Sequence, residues 1–396
     1  MRKFSVFLAG MIIVLAATVG VAQSPDLSQI YARPPIKVVS RTLSPSGPGG
    51  YSPAQVKSAY GFNRIPNLGA GQTIALVDAY DDPNIASDLA FYASYFHFTP
   101  CNFTKVKVGN PVQGQGWDLE ESLDVEQACA LAPQANIVLV EATTNSFSDL
   151  LAAVQVAYTQ YHATVVSMSW GGGEFAGENQ SDSFFCNIMN EDGKPVTFTA
   201  STGDGGHGTE YPSVSPCVIA VGGTTLVLTT TTAPPNPTQS DYGTENGWRD
   251  GGGGVSTQET QPSWQNPACA TWSTTFKCVP DVASLSVNVP VYDTYSESGW
   301  AVVDGTSISA PDWASFLTLV NSGRAAAGRT TLSQAAQDLY TAYYSSNYST
   351  DFHDIITGNN GTCGTQCNTA PGYDLVTGIG SYQANNLYGV MVADTN

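Results

Sequence analysis

A chain of 396 residues could hold two average domains, but α/β folds often exceed about 250 residues in one domain, so length does not fix the domain count. Its 14 Lys and Arg residues against 33 Asp and Glu give a formal net charge of −19 at pH 7, which argues against nucleic acid or an anionic membrane as a partner. In acid most of these carboxylates would be protonated and few basic groups would repel one another, so the balance fits a protein that works at low pH.

The chain opens with the pattern of a secretory signal: a basic start, an apolar stretch from Phe4 to Val21, and small residues up to Ala22. We expect cleavage after Ala22, which makes residues 1–22 a signal peptide. No other stretch of the sequence is long and apolar enough to cross a bilayer. We therefore expect a secreted monomer, extracellular or periplasmic, without membrane contact after cleavage.

Residues 23–50 are rich in Pro, Ser and Gly, which predicts an extended linker or N-terminal arm. From residue 51 onward, apolar β-rich segments alternate with segments of helical periodicity. Strands are predicted at residues 73–79, 136–141, 164–169, 196–200 and 217–221, and helices at 86–96, 118–132, 150–161 and 184–189. This alternation predicts an α/β fold in which a mostly parallel sheet lies between two layers of helices.

The Thr-, Pro- and Gly-rich stretch 229–265 is interpreted as surface excursions rather than a domain boundary, so residues 51–396 are expected to form one large domain. Eight cysteines in an exported chain indicate a disulfide framework. Short separations favour Cys269–Cys278 and Cys363–Cys367, and we pair the others as Cys101–Cys129 and Cys186–Cys217. The closer Cys or His spacing of a metal site is missing.

A turn of small residues, Asp304 to Pro311, leads into the apolar periodic segment that starts at Trp313. Ser307 lies at this junction, where unpaired backbone N–H groups and the positive end of a helix dipole would favour a nucleophile that develops negative charge. The alternative is that Ser307 only caps the helix.

Two acidic residues, Glu120 and Asp124, are four positions apart in the predicted helix 118–132 and therefore lie on one face. Asp118 and Glu121 have the spacing of a capping box, which should start that helix. Without a partner, the paired carboxylates would share or hold a proton, and one of them would become a base with a raised pKa. The alternative is a solvated acidic face.

Two further strand ends carry candidate residues. Asp204 follows the strand 196–200 between glycines, which suits an active-site loop, although an ordinary turn aspartate is the alternative. The strand ending in Ser169, Trp170 and Gly171 offers a backbone edge to which an extended peptide could pair.

In this order the motifs resemble those of the sedolisin, or serine-carboxyl peptidase, family, whose fold is similar to that of subtilisin. The resemblance covers residues from about 51 to the C-terminus. It rests on the Glu-x-x-x-Asp helix, the Ser-x-Ser-Trp-Gly strand end, Gly203-Asp204, Gly305-Thr306-Ser307 with Pro311, and the sequence around Asp354 and Asp374. The implied fold is one large subtilisin-like catalytic domain.

The resemblance implies a role for each catalytic candidate: Ser307 as nucleophile, Glu120 as general base and acid, Asp124 as the residue that orients Glu120, and Asp204 as a protonated donor to the oxyanion. The substrates implied are polypeptides. Because Glu120 must be ionised while Asp204 is protonated, ordinary carboxyl pKa values predict greatest activity at about pH 3–5.

The resemblance also implies a calcium site. Its ligands map onto the side chains of Asp354 and Asp374 and the carbonyl oxygens of Ile355, Ala370 and Gly372, and hard oxygen ligands suit Ca²⁺. Many members have glycine where this chain has Ala370. The large propeptide common in the family is not found between the predicted signal cleavage and the catalytic region, which puts zymogen control in question.

Three alternatives are weighed against this assignment. A subtilisin-type enzyme would use Asp78 and a histidine, and only His207-Gly208-Thr209 imitates the expected histidine motif, far downstream of Asp78. A glycosidase is disfavoured because Glu120 and Asp124, one turn apart, have no reason to flank a sugar. A secreted peptide-binding protein without catalysis stays open, since fold does not guarantee function.

Overall fold

The computed structural model describes residues 24–41, 47–229 and 242–395. The predicted signal peptide, residues 1–22, lies outside the described residues. In chain order the strands are β1 (Lys37–Arg41), β2 (Thr73–Ala79), β3 (Asn102–Lys107), β4 (Asn136–Ala142), β5 (Val165–Met168), β6 (Gly172–Gly173), β7 (Thr197–Ser201), β8 (Glu210–Tyr211), β9 (Ile219–Leu228), β10 (Tyr242–Gly247), β11 (Gly254–Thr260), β12 (Phe276–Val279), β13 (Val282–Leu285), β14 (Val289–Asp293), β15 (Gly299–Asp304), β16 (Phe352–His353) and β17 (Ser381–Tyr382).

The α-helices are α1 (Pro53–Tyr60), α2 (Ile85–Tyr95), α3 (Asp118–Leu131), α4 (Phe147–Gln160), α5 (Asn266–Cys269), α6 (Thr306–Ala326), α7 (Ala335–Tyr343), α8 (Tyr348–Asp351) and α9 (Ala384–Ala393). Helices α2, α3 and α4 lie within a few residues of their predicted positions. A 3-10 helix, Glu178–Phe184, precedes β7.

The central sheet has the order β10-β9-β7-β5-β2-β4-β3, with β13 also paired to β9. Its neighbours pair in parallel except β10, which runs antiparallel to β9 at the edge. Consecutive parallel strands require crossovers, and helices such as α2 and α4 supply them. The predicted mostly parallel sheet is confirmed.

Strand β2 shows why helices cover both faces of this sheet. Successive side chains of a strand point to opposite faces, and here Ile74 and Leu76 join one buried core while Ala75 and Val77 join the other. The first core holds α3 and α6, and the second holds α4. Strand β2 is thus apolar on both faces, apart from Thr73 at its start and Asp78 near its end.

Three local predictions are wrong. No α-helix forms at residues 184–189, because the 3-10 helix ends at Phe184 and Asn187 adopts a left-handed φ of 57° that ends helical geometry. Helix α3 begins at Asp118 as predicted, but Trp117 is its N-cap and no side chain caps it, so the capping box does not form. The stretch 229–265 was predicted to form surface excursions, but its described part contains two strands. β10 extends the central sheet, and β11 pairs with β12.

All four predicted disulfides are confirmed, namely Cys101–Cys129, Cys186–Cys217, Cys269–Cys278 and Cys363–Cys367. Within the described ranges, no helix combines the length and apolar character that a bilayer span requires.

Candidate active site

Ser307 is the second residue of α6, directly after the turn that ends β15. Gly305 is the N-cap of this helix, and the Ser307 hydroxyl is buried without a hydrogen-bond partner among the described residues. The capping alternative for Ser307 is therefore wrong. A buried hydroxyl at a helix N-terminus is well placed to act as a nucleophile, because the helix dipole favours negative charge there.

Glu120 and Asp124 lie on α3, every residue of which is buried. Both side chains are 0% exposed, so the alternative of a solvated acidic face is wrong. Burial raises the pKa of Glu120 well above its ordinary value, and the neighbouring charges of Asp124 and Asp78 raise it further. These groups form one cluster that must share protons rather than ionise together.

The hydroxyl of Ser307 faces this cluster. Its interaction with Glu120 lowers the pKa of that carboxyl against the larger effect of burial. Both Glu120 oxygens nevertheless lack a hydrogen-bond partner within the described part of the chain, so the serine and the carboxylate do not have the geometry of a formed hydrogen bond. Such contacts are often loose before substrate binds, so the spacing is compatible with proton transfer in a complex.

Ser169 links Asp124 to the backbone of the nucleophile. Its hydroxyl lies 2.8 Å from Asp124 Oδ1 and 3.4 Å from the carbonyl oxygen of Ser307. Pro311, inside α6, has no N–H to donate to that carbonyl four residues earlier, so the carbonyl can accept from Ser169. The position of α6 is therefore tied to the carboxyl pair on α3.

Asp204 lies in the loop after β7 and is held by Thr306. Burial raises the pKa of Asp204 to about 8, although hydrogen bonds from Thr306 and the charge of Lys37 act to lower it. Its Oδ2 is buried and has no partner among the described residues. A protonated Asp204 can therefore present a free O–H donor next to the start of α6.

Asp78 is a residue whose place in the cluster was not foreseen. Both of its oxygens are buried without partners in the described chain, and burial, with the charge of Glu141, raises its pKa to about 8. A charged residue inside the apolar strand β2 was the signal for it. The subtilisin-type alternative is not supported, since the Ser307 hydroxyl hydrogen-bonds to none of the four histidines, all of which are described.

The residues predicted to bind substrate after β5, Ser169, Trp170 and Gly171, differ in their contacts. Trp170 is fully buried, and its indole nitrogen donates to the carbonyl of Val77 at 2.8 Å, so this side chain fixes the strand end to β2. Gly171 offers its backbone to an extended segment of this same chain: it exchanges two hydrogen bonds with Arg33 of the N-terminal arm, at 3.0 and 3.2 Å. The composition of the arm gave no signal for this contact.

The predicted calcium ligands surround one loop. The amide of Gly372 donates to both oxygens of Asp354 at 3.1 Å, and the amide of Ala370 donates to Asp374 Oδ2 at 2.9 Å. Ile355 is buried next to Asp354. No ion pair within the described ranges involves either carboxylate. Carboxylate and carbonyl oxygens are the hard ligands that calcium prefers, and here both carboxylates accept backbone N–H groups from this loop.

A second acidic group lies elsewhere and was not predicted. Asp82, Asp88 and Asp293 are buried with carboxylate oxygens within 4.8 Å of one another. Each accepts a backbone N–H, from Asn84, Thr294 and Tyr295 respectively, as Asp354 and Asp374 also do. The sequence implies no metal ligands at this group, and we assign no metal to it.

Comparisons with known proteins show which proteins this chain resembles. Residues 121–351 match the model of the subtilase family. Kumamolisin from Bacillus sp. (strain MN-32) is 29% identical over 376 residues, which cover 85% of this chain and 62% of kumamolisin. Sedolisin from Pseudomonas sp. (strain 101) is 27% identical over 384 residues, which cover 88% of this chain and 63% of sedolisin. The chain thus spans less than two thirds of the length of these two relatives.

The solved structure of Pseudomonas sedolisin, a serine-carboxyl proteinase complexed with two molecules of pseudo-iodotyrostatin, superimposes with a TM-score of 0.74 and 22% identity. The superposition covers 88% of this chain and 100% of that chain, and at this identity it is evidence for the fold. The chain therefore belongs to the subtilase family, in its sedolisin branch.

Proposed function

We propose that this protein is a secreted, acid-active peptidase that hydrolyses peptide bonds through an acyl-enzyme on Ser307. The observation that carries the proposal is a set of three buried groups without hydrogen-bond partners in the described chain: the Ser307 hydroxyl, the Glu120 carboxyl and Asp204 Oδ2. These groups are close enough for Ser307 and Asp204 to affect the pKa of Glu120. Buried polar groups are normally paired, and unpaired ones with raised pKa values concentrate where chemistry occurs.

In this mechanism Glu120 accepts the Ser307 proton as the serine oxygen bonds to the carbonyl carbon. Protonated Asp204 donates to the oxygen that becomes negative, and Glu120 then passes its proton to the leaving nitrogen. Asp124 holds Glu120 in place and keeps a proton, so that only one negative charge is buried in the pair. Water then reverses the sequence and releases the acyl product.

The substrate in this proposal is an extended polypeptide that pairs with the backbone of Gly171, at the strand end that contains Ser169 and Trp170. The ladder between Gly171 and Arg33 supports this role, since it gives the backbone pattern that a peptide in the same position would reproduce.

Calcium has a structural role in this proposal. Asp354 and Asp374, with the carbonyls of Ile355, Ala370 and Gly372, would hold the ion and fix the loop between β16 and β17. The ion would neutralise two carboxylates, and no step of the reaction passes through it. We also keep residues 51–396 as the peptidase domain and residues 1–22 as the signal for export.

The second candidate is a peptide-binding protein without catalysis. It is disfavoured because all four proposed catalytic side chains are present and the buried carboxyl cluster costs stability that binding alone would not require. The test is digestion of a denatured protein at pH 4, with product peptides identified by mass spectrometry, by the wild type and by Ser307→Ala. Products from the wild type alone support the proposal, and equal products or none from both proteins reject it.

A further inference from the structure

Two buried carboxyl groups outside the proposed catalytic set meet at the start of α3. Glu121 lies in the first turn of this helix and Glu141 near the end of β4, and both side chains are fully buried. Both accept the same backbone N–H, that of Asp82, at 3.1 Å each. The two carboxyls also hydrogen-bond to each other. The first turn of α3, the end of β4 and the segment after β2 are therefore tied together at one point.

The hydrogen bond between two carboxyls requires a proton, and the surroundings assign it to Glu121. Burial raises the pKa of Glu121 well above its ordinary value, and the charges of Glu141, Asp78 and Asp82 raise it further. Burial raises the pKa of Glu141 only to about 6, because Lys105 Nζ lies 3.2 Å from its Oε1. Glu141 thus ionises first as pH rises, and protonated Glu121 can donate to it in either state.

The other charged groups at this place pair with one another. Lys105 donates to Asp81 Oδ1 at 2.6 Å, and Lys107 lies 2.7 Å from Asp81 Oδ2. None of the ion pairs in the described ranges involves Glu121. Lys105 therefore keeps a carboxylate partner without Glu141, whereas Glu121 is held by hydrogen bonds alone.

The pair reaches the proposed base by two routes. Glu121 follows Glu120 in α3, and the N-terminus of this helix has no side-chain cap to fix its first turn. Glu141 is the register partner of Asp78 in the parallel pairing of β4 with β2, so their side chains point to the same face of the sheet. The charge of Asp78 in turn raises the pKa of Glu120. A shift of Glu121 or Glu141 would therefore be felt at Glu120.

Stability alone gives no reason to bury this pair. Removing two acids from water is costly, and apolar residues of similar size at such positions are often neutral or more stabilising. A hydrogen bond has a direction, however, and fixes one helix relative to one strand more narrowly than an apolar contact does. Geometry matters near a base, because a misplacement of about 1 Å can cost about 10² in rate.

We propose that Glu121 and Glu141 are positioning residues for Glu120. The hydrogen bond between them fixes the first turn of α3 against β4 and so sets the direction from which the base meets Ser307. This inference rests on the function proposed above. The pair acts through the backbone of α3, and no proton of the reaction passes through it.

The test compares variants of the full chain by kcat and KM on one fluorogenic peptide at pH 4 and by Tm. Glu121→Gln keeps a donor for Glu141, whereas Glu121→Met has a similar length and no donor. Glu141→Met removes the acceptor from the sheet side, so the same bond is tested twice, from α3 and from β4. The control is Glu126→Met on α3, where the buried carboxyl accepts from the amide of Tyr292.

We expect Glu121→Gln to keep kcat within about twofold of the wild type, because its amide replaces the donated hydrogen bond. Glu121→Met and Glu141→Met should each lower kcat about tenfold with KM within about twofold, since the peptide-binding strand end is unchanged. The double variant should lose no more than the worse single one, because both changes remove the same bond. Glu126→Met should lower Tm at least as much as Glu121→Met and keep the wild-type kcat.

The results separate this inference from the proposed function. Wild-type kcat in both single Met variants of the pair, or additive losses in the double variant, would refute the inference while a hydrolysing wild type upholds the function. An equal loss of kcat in Glu121→Gln or in Glu126→Met would refute it too, because the loss would then follow from the change in the helix rather than from the missing hydrogen bond. A wild type that hydrolyses no peptide would refute both.

Discussion

Thr306 donates two hydrogen bonds to a single oxygen of Asp204, from its amide at 2.9 Å and from its hydroxyl at 3.0 Å. Both bonds end on Oδ1, so Oδ2 has no hydrogen-bond partner among the described residues. The residue that precedes the proposed nucleophile therefore aims the proposed oxyanion donor. The Gly-Thr-Ser sequence did not show that Thr306 would bind Asp204. It also did not show that only one of the two carboxylate oxygens would accept from Thr306.

Replacing Asp204 tests this donor. Asp204→Ala should lower kcat by about 10²–10³, the usual effect of removing one oxyanion donor. Asp204→Asn should retain most activity, because an amide oxygen can accept from Thr306 while its NH₂ group donates at the position of Oδ2. The measurement is the pH dependence of kcat and kcat/KM on one fluorogenic peptide from pH 2 to 9.

The same pH series tests whether activity rises or falls as Asp204 loses its proton. Asp204 donates only when protonated, so activity falls as pH rises through its pKa, which burial raises to about 8 with the cleft covered by the arm. Burial raises the pKa of Glu120 as well. The kcat/KM profile reports the free cleft, where access of water brings both carboxyls toward their ordinary pKa values, and should peak at about pH 3–5. The kcat profile reports the covered cleft and should extend further toward pH 8. In Asp204→Asn the decline of activity at high pH should disappear. An unchanged decline would show that another titrating group causes it.

Glu120→Gln should lower kcat by about 10²–10⁴, since the amide cannot accept the Ser307 proton. The matched control is Glu126→Gln on the same helix. Glu126 is also buried but accepts from the amide of Tyr292, so its replacement should affect stability and leave kcat near the wild-type value. Equal losses of kcat in the two variants would mean that Glu120 acts through folding rather than chemistry.

The elements around the site were largely predictable because strand and helix periods are local properties of the sequence. Strand β2 and the first residue of α3 were predicted at their observed positions, and Ser307, Glu120, Asp124 and Asp204 do converge. Asp204 follows β7 at the carboxyl edge of the parallel sheet, where sites of such folds form. Ser307 follows β15 of a separate antiparallel sheet, and Glu120 and Asp124 lie on α3, so the packing of α3 and α6 in one core completes the site. The family resemblance supplied the roles that periodicity could not.

What the sequence did not predict depends on long-range contacts. The arm has the composition of a linker, and its pairing with Ser146, with Gly171 and with β15 orders it as an extended strand. From the sequence, Asp78 was considered only as the acid of a subtilisin-type triad. Its place near Glu120 depends on the packing of α3 on β2, which local patterns do not show. The failed capping box at Asp118 has the same origin, since tertiary burial of the whole helix outweighs a local side-chain cap.

Removal of calcium should destabilise the protein. At neutral pH the ion would offset the repulsion between Asp354 and Asp374, so EDTA should lower Tm and added Ca²⁺ should restore it. Asp374→Asn should abolish the response to Ca²⁺, whereas Asp293→Asn, in the separate acidic group, should keep it. If only Asp293→Asn loses the response to Ca²⁺, the ion binds at the second acidic group instead. If the wild type shows no response, the proposed calcium site is wrong.

Stability should fall as pH rises from 4 to 8. Burial raises the pKa of Asp78 to about 8, of Asp82 to about 7 and of Glu178 to about 8, so the folded chain binds more protons than the unfolded chain over this range. The stability that the two aspartates contribute is fully present below their pKa in the unfolded chain, near 3.8. It is lost as pH rises through their pKa values in the folded chain. Tm measured in EDTA should be higher at pH 4 than at pH 8, and the reverse order would contradict neutral buried carboxyls.

The central claim, an acyl-enzyme on Ser307 formed with carboxyl groups in place of histidine, can be observed directly. The wild type is mixed with a peptide ester at pH 4, quenched in acid within the first turnovers, and digested for peptide mapping by mass spectrometry. We expect the acyl mass on the peptide that contains Ser307, and its loss in Ser307→Ala and Glu120→Gln but not in Glu126→Gln. Continued turnover with no acyl mass on Ser307, or with the mass on another residue, would contradict the account.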